Sequence, residues 1–231
     1  MILKLQVFLR DAEIGSRRQT SQLIKDGVIT LNGKVATMGD MVNPNKDIVK
    51  YNGKTITVSK EYTYIALYKP QGYTSTNRDK FAKKTVFDLL PSKYSNYFIV
   101  GRLDKNSEGL MLITNDGTLV QQITHPKFKV EKTYQVLINR KISPQDIAKI
   151  SKGNINLGDF STQPIKIKSS NNSQIIEMTL TEGKKREIRR IFEKLGLRVV
   201  KLIRTQIMGL KVQLKPGEFI QVSKNEIINN Q

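Results

Sequence analysis

One stretch near the middle of the chain, residues 101–117, constrains the fold more than any other. It reads Gly-Arg-Leu-Asp-Lys-Asn-Ser-Glu-Gly-Leu-Met-Leu-Ile-Thr-Asn-Asp-Gly, so a single carboxylate, Asp104, stands between chain-bending glycines. Apolar runs at 98–100 and 110–113 flank it, which predicts two buried strands joined by a turn. Chemistry is often placed on such turns. The residues alone nevertheless favour a turn-forming or helix-capping aspartate at this position.

The charge balance narrows the class of partner. The chain has 231 residues with 39 Lys and Arg against 20 Asp and Glu, a net charge of +19. Such a surface predicts a polyanionic partner such as nucleic acid, and the alternative is a generally basic soluble protein. The absence of cysteine excludes disulfide scaffolds, thiolate metal sites and cysteine nucleophiles. No apolar run approaches the ~18 residues of a membrane span, so we expect no membrane partner and a cytoplasmic protein.

The first 58 residues predict a small domain of two helices and a small sheet. Apolar residues at 5, 8, 9 and 12 form the stripe of a first helix, and Ser16 with Gln19 predicts a capping box for a second. The dipeptides Asn-Gly at 32–33 and 52–53 predict two tight hairpins. A linker at 59–63 and a larger domain at 64–231 follow.

The segment from Gly15 to Val35 resembles the S4 RNA-binding domain. It carries the pattern Gly-Ser-Arg-Arg, then Leu-Ile, and then Asn-Gly-Lys in a hairpin turn. The resemblance implies one RNA-facing surface, to which Arg17, Arg18, Asn32 and Lys34 contribute. By charge alone, the two arginines read as a solvated helix face.

Residues 101–117 resemble the catalytic motif of the bacterial ribosomal RNA pseudouridine synthases of the RsuA/RluB type. The shared pattern is Gly-Arg-Leu-Asp-x-x-Ser-x-Gly-Leu followed by Thr-Asn-Asp-Gly, and other segments match in order from Leu3 to about Val222. The resemblance implies an α+β protein, in which a small S4-like domain precedes a catalytic domain built on a mixed, largely antiparallel sheet flanked by helices. It also implies that Asp104 initiates glycosidic-bond cleavage, that Tyr134 packs on the uracil, and that Arg189 orients Asp104 and keeps it charged.

Basic residues between 183 and 211 predict a second surface for RNA. We predict a helix over 182–196 with Arg189 on the shoulder of its apolar stripe and Arg186 and Arg190 pointing away, and strands at 199–202 and 207–212. Residues 183–211 hold ten Lys and Arg and two Asp and Glu, a net charge of +8. A polar stretch at 75–84 predicts a loop able to meet RNA. The complete predicted RNA-binding set is Arg17, Arg18, Asn32, Lys34, Lys69, Arg102, Lys185, Arg186, Arg190 and Arg204.

Other enzyme classes lack their motifs in this chain. There is no Gly-x-Gly-x-x-Gly for a methyltransferase cofactor and no Gly-x-x-x-x-Gly-Lys-(Ser/Thr) for ATP. The lone histidine, His125, has no partners for a metal site, so we expect neither cofactor nor metal. The resemblance implies an enzyme that isomerises uridine in ribosomal RNA or a ribosome-assembly intermediate, in the large subunit rather than the small one, and we expect it to be a monomer. The alternative is a non-catalytic ribosome-assembly or RNA-binding protein.

Overall fold

The computed structural model describes residues 2–12, 14–58, 61–76, 83–169 and 174–229. It divides into two units, Met1–Glu61 and Tyr62–Gln231. The first unit has one apolar core and the second has two. No helix within the described ranges is long and apolar enough to cross a membrane.

The first unit combines two short helices with small sheets. The apolar stripe predicted for the first helix is buried at Leu5, Phe8 and Leu9. The predicted capping box is confirmed at the start of the second, where Ser16 Oγ accepts from the Gln19 amide at 3.4 Å and Gln19 Oε1 accepts from the Ser16 amide at 2.8 Å. The elements are β1 (Leu3–Lys4), α1 (Leu5–Asp11), α2 (Arg17–Lys25), β2 (Ile29–Leu31), β3 (Lys34–Val35), β4 (Met41–Val42), β5 (Val49–Tyr51) and β6 (Lys54–Ile56).

Both hairpins predicted for this unit are present. The described sheet has the order β3-β2-β5-β6, and β1 pairs separately with β4. Asn32 and Asn52 adopt φ values of 51° and 47°, each followed by a glycine with positive φ. Tight hairpin turns require this left-handed backbone at both central residues, which explains why Asn-Gly stands at each turn.

The second unit is built on one large sheet. Its strands are β7 (Tyr64–Lys69), β8 (Phe98–Val100), β9 (Glu108–Thr114), β10 (Lys132–Ile138), β11 (Lys166–Ser169), β12 (Ile175–Leu180), β13 (Val199–Ile207) and β14 (Phe219–Val222). Its helices are α3 (Gly117–Thr124), α4 (Pro144–Lys152), α5 (Glu187–Lys194) and α6 (Lys224–Asn229), with short 3-10 helices at Val86–Leu89, Ser92–Tyr94 and Pro126–Phe128.

The large sheet has the order β11-β12-β10-β13-β9-β7-β14, with β8 added to the end of β9. Strands β9 and β13 pair in parallel, and the other described pairs are antiparallel. Alternate residues of β7 and β9 belong to different apolar clusters, so both faces of the sheet are covered. The predicted α+β class and the mixed, largely antiparallel sheet are therefore confirmed.

Gly109 allows β9 to pair with β13. Its φ is +107°, and a Cβ at this position would lie 2.3 Å from the Arg204 carbonyl oxygen. No other residue type fits so close an approach of two backbones. The glycine thereby fixes β13 beside the residues that directly follow the Asp104 turn.

Two element boundaries differ from the prediction. Helix α5 begins at Glu187 rather than near 182, because Arg186 adopts a left-handed backbone with φ 54°. Residues 183–186 thus form an exposed loop, here called the basic segment. The strand predicted at 199–202 continues to Ile207 as β13, whereas residues 208–212, predicted as a second strand, form a turn and an irregular segment. Part of the loop predicted at 75–84 lies outside the described residues, as does Asn171-Asn172, which the sequence predicts as a turn between two strands.

Candidate active site

Asp104 lies in the turn between β8 and β9, and the backbone of this turn is held by hydrogen bonds. The Ser107 amide donates to the Asp104 carbonyl at 3.0 Å, and the Gly72 amide donates to the Lys105 carbonyl at 2.9 Å. The Ser75 hydroxyl accepts from the Leu103 amide at 3.1 Å and donates to its carbonyl at 2.8 Å. The carboxylate is therefore presented by a backbone fixed on both sides.

The side chain of Lys69 holds the same turn through hydrogen bonds to backbone carbonyls. It is 0% exposed, and its Nζ donates to the carbonyls of Ser107 at 2.6 Å, Pro70 at 3.0 Å and Lys105 at 3.5 Å. Burial lowers the pKa of Lys69 to about 8, against the opposing effect of the Asp104 charge. The prediction that Lys69 contacts RNA is wrong for this structure, because a fully buried ammonium does not reach a phosphate.

The guanidinium of Arg189 donates hydrogen bonds to the backbone of the Asp104 turn and of β13. Its Nη2 donates to the Asn106 carbonyl at 2.9 Å and its Nη1 to the Val199 carbonyl at 3.2 Å. Burial and the charge of Arg186 lower the pKa of Arg189, while the charge of Asp104 opposes them. The ion pairs of the described residues do not include one between Arg189 and Asp104. Arg189 therefore orients the turn two residues beyond Asp104, where we had expected a direct contact with the carboxylate.

The three predicted catalytic residues line one cleft with a volume of about 560 Å³. Asp104 comes from the β8–β9 turn, Tyr134 from β10 and Arg189 from α5. Tyr134 is 8% exposed, so its ring forms part of the cleft wall. Cations outnumber carboxylates in the lining, with Arg102, Lys105, Lys184, Lys185, Arg186 and Arg189 against Asp104, Glu182 and Glu187. This positive lining suits a polyanionic ligand.

The structure places Arg102, Lys185 and Arg186 in this lining, but it places two other predicted RNA contacts differently. Arg204 is 2% exposed, and its Nε donates to the Leu110 carbonyl at 2.7 Å. Its predicted contact with RNA is wrong for this structure, since the guanidinium ties β13 to β9. Arg190 pairs with Asp159 and donates to the Leu157 carbonyl, so it holds a neighbouring loop.

The predicted RNA-binding residues of the first unit lie on two elements. Arg17 and Arg18 are exposed in the first turn of α2, and Lys34 is exposed in β3. Asn32 is also exposed, but its amide group donates to Asp47 Oδ1 at 3.0 Å and accepts from the Ile48 amide at 2.9 Å. Asn32 therefore shapes the hairpin, and the three cations are the exposed charges of the set.

Sequence reasoning missed several residues that shape the cleft. Ser75 was missed and Lys69 was given another role, because both act on a turn about 30 positions further along the chain and no local pattern predicts such distant partners. From the sequence, Glu187 was only one charge of the basic run at 183–211, and Glu182 was only the first residue of the predicted helix. A glutamate at the first position of α5, followed by an apolar stripe, is the one signal that would have marked Glu187 as a helix start.

Comparison with known proteins identifies the family to which the chain belongs. The profile of the RNA pseudouridylate synthase family matches residues 63–194, and that of the S4 domain matches residues 3–48. Since the first match spans more than half of the chain, the protein belongs to the RNA pseudouridine synthases. The resemblance inferred from the sequence is thereby confirmed.

Individual relatives narrow this class. The ribosomal large subunit pseudouridine synthase B of Bacillus subtilis (strain 168) is 32% identical over 230 residues, which are 97% of this chain and 93% of the relative. The protein of the same name from Salmonella typhi is 36% identical over 211 residues, 88% of this chain and 72% of the relative. A solved structure described as a pseudouridylate synthase superposes with a TM-score of 0.70 at 26% identity, covering 97% of this chain and 98% of its own.

Proposed function

We propose that this pseudouridine synthase isomerises a uridine of large-subunit ribosomal RNA. The relatives named for large-subunit synthases B support the choice of RNA, because they match almost the whole chain. The observation that carries the proposal is the meeting of Asp104, Tyr134 and Arg189 on one cleft with a cationic lining. A net charge of +19 supports a large polyanionic substrate.

The proposed chemistry needs no co-reactant, because substrate and product contain the same atoms. The target uridine rotates out of its stack into the cleft, which costs about a few kcal/mol. The bond between N1 of the base and C1′ of the sugar breaks, the base turns, and C5 bonds to C1′. The proton on C5 leaves and N1 gains one. Asp104 initiates the cleavage, either as a nucleophile or by removing a proton from the sugar.

The other two residues act around that carboxylate. The ring of Tyr134 forms a flat apolar wall against which the uracil packs while it turns, and such stacking contributes about 1–3 kcal/mol. Arg189 keeps the turn in register through the Asn106 carbonyl. Because Arg189 also bonds to β13, it couples the position of Asp104 to the sheet.

RNA binding divides between two surfaces in this proposal. Arg17, Arg18 and Lys34 of the first unit contact phosphates and anchor the substrate, while Arg102, Lys185 and Arg186 hold the nucleotides around the target. Contacts with phosphates position RNA but carry little sequence information. We further propose that the protein acts as a monomer in the cytoplasm, on ribosomal RNA or an assembling subunit.

The deciding experiment measures tritium release from a large-subunit ribosomal RNA transcript that contains 5-tritiated uridine. We expect Asp104→Ala to lower the release rate below about one-thousandth of wild type, with unchanged RNA affinity. Asp26→Asn, which neutralises an exposed carboxylate of the first unit, serves as the control. Measurable turnover by Asp104→Ala would contradict the role of this residue. Mapping pseudouridine in ribosomal RNA from cells lacking the protein then identifies the modified position.

A further inference from the structure

Glu182 and Glu187 lie at the two ends of the basic segment, and no role in the mechanism has been given to them. Both residues line the cleft, as does the basic segment between them. The two carboxyl groups lie close enough for each to shift the pKa of the other through a side-chain hydrogen bond. A carboxylate has no proton to donate, so this contact requires one proton shared by the pair.

The surroundings of Glu187 support a shared proton. The residue is 3% exposed, and its Oε2 accepts from the Lys184 amide at 3.0 Å. Its Oε1 is buried and meets no N–H or O–H donor among the described residues. A buried carboxylate oxygen without a donor is unfavourable. A proton between the two carboxyl groups removes this unpaired negative charge.

Glu182 ties the other end of the basic segment. Its Oε1 accepts from the Gln163 amide at 3.2 Å, and its Oε2 pairs with Lys184 Nζ at 3.0 Å. Lys184 Nζ also lies 4.0 Å from the centre of the Phe160 ring. The pair therefore contacts both the backbone and the side chain of the segment.

The charges around the pair separate the two acids. Burial, followed by the hydrogen bond with Glu182, raises the pKa of Glu187 to about 7. Burial alone would also raise the pKa of Glu182, but hydrogen bonds from Glu187, Gln163 and Lys184 together lower it. The cations that face the pair are Lys184 of the segment and Arg190 of α5. The proton thus resides on Glu187 and is lost near neutral pH.

We propose that Glu182 and Glu187 are positioning residues whose shared proton holds the basic segment against the cleft, so that its cations meet the RNA backbone. Loss of the proton leaves two carboxylates in contact, and their repulsion releases the segment. The segment is released by a change in the backbone of Arg186, whose left-handed conformation is strained. The proposal rests on the proposed function, since it assigns the cations an RNA ligand.

The experiment measures binding of a large-subunit ribosomal RNA transcript at pH 6 and pH 8.5 and constant ionic strength. The protonated fraction of a group with pKa about 7 falls by about 30-fold over this range, which sets the upper limit for the loss of wild-type affinity. We expect a wild-type loss of at least about threefold. In Glu187→Gln the amide donates at either pH, so its affinity should change by less than about twofold.

Two further variants complete the set. Glu187→Ala has no donor, so we expect weak binding at both pH values. Glu193→Gln removes an equal charge from an exposed position of α5 and should keep the wild-type pH profile. A wild-type affinity that is equal at the two pH values, or a Glu187→Gln profile that declines like wild type, would overturn the proposal.

Urea unfolding of the free protein tests the pair without RNA or catalysis. The pKa of Glu187 is raised on folding, so its stabilising contribution is complete below its unfolded value of 4.5 and is lost as pH rises through about 7. Wild type should therefore lose stability relative to Glu187→Gln between pH 6 and pH 8.5. An equal difference at both pH values rejects the pair. If the stability shift occurs without RNA binding, the pair stands and the proposed function fails.

Discussion

Replacing Lys69 by methionine tests the buried support of the Asp104 turn. The substitution keeps the length of the side chain but removes the ammonium that donates at 2.6 Å to the Ser107 carbonyl and at 3.0 Å to the Pro70 carbonyl. Each buried carbonyl left without its donor costs about 1–3 kcal/mol. Two such carbonyls therefore cost about 4 kcal/mol when nothing offsets them.

The cost of burying the charge of Lys69 offsets part of this loss of stability, by an amount that depends on pH. Burial lowers the pKa of Lys69 from 10.5 to about 8, and a difference of this size corresponds to about 3 kcal/mol needed to keep the buried amine protonated. Methionine avoids this cost at pH 7, so the net loss there is about 1 kcal/mol. A lowered pKa stabilises the folded state fully above the unfolded value of 10.5, and that contribution is lost as pH falls through about 8. The cost of Lys69→Met should therefore rise to about 3 kcal/mol at pH 10.

Urea unfolding of wild type and Lys69→Met at pH 7 and pH 10 measures both values. Lys105→Met, which removes a lysine from the exposed side of the same turn, is the matched control for stability. The turn keeps its bonds from Gly72, Ser107 and Arg189, so tritium release by Lys69→Met at pH 7 should stay within about tenfold of wild type. A destabilisation that is constant or smaller at pH 10 would refute the reasoning about the buried ammonium.

Two further predictions concern the anchor and the sheet. Replacing both Arg17 and Arg18 by alanine should lower the slope of log affinity against log salt by about 1.4–1.8, because each lost phosphate contact removes about 0.7–0.9. An unchanged slope would show that these arginines do not contact RNA. Gly109→Ala should unfold the second unit or lower its stability by more than about 4 kcal/mol, because the new Cβ would lie 2.3 Å from the Arg204 carbonyl oxygen. A soluble variant with the wild-type urea midpoint would contradict this.

Local patterns predicted most of the elements because their causes are local. Asn-Gly at 32–33 places two left-handed residues where a hairpin needs them, and Ser16 with Gln19 caps its own helix. The alternation at Tyr134, Val136 and Ile138 is the pattern of a half-buried strand, and all three side chains are buried. For the site, the sequence led to three residues that line one cleft, although their chemical roles stay predictions.

The misplaced residues depend on partners far along the chain. Lys69 and Arg204 read as surface charges, since a buried cation is recognised only by its acceptors, which lie 38 and 94 residues away. The start of α5 was misplaced because 182–186 has the composition of a helix. The hydrogen bond from the Lys184 amide to Glu187 instead sets the first turn.

The pairing of β9 with β13 sets the order in which the two units can fold during synthesis. Arg204 of β13 donates to the Leu110 carbonyl of β9. At elongation rates of roughly 5–20 residues per second, Arg204 leaves the ribosome about 5–20 s after Leu110. The strand pairings described in the first unit all join residues within the first 56 positions, so every partner has been synthesised long before then. A nascent chain therefore folds its S4 domain while the cleft around Asp104 is still unformed, and that cleft can close only after Arg204 has emerged.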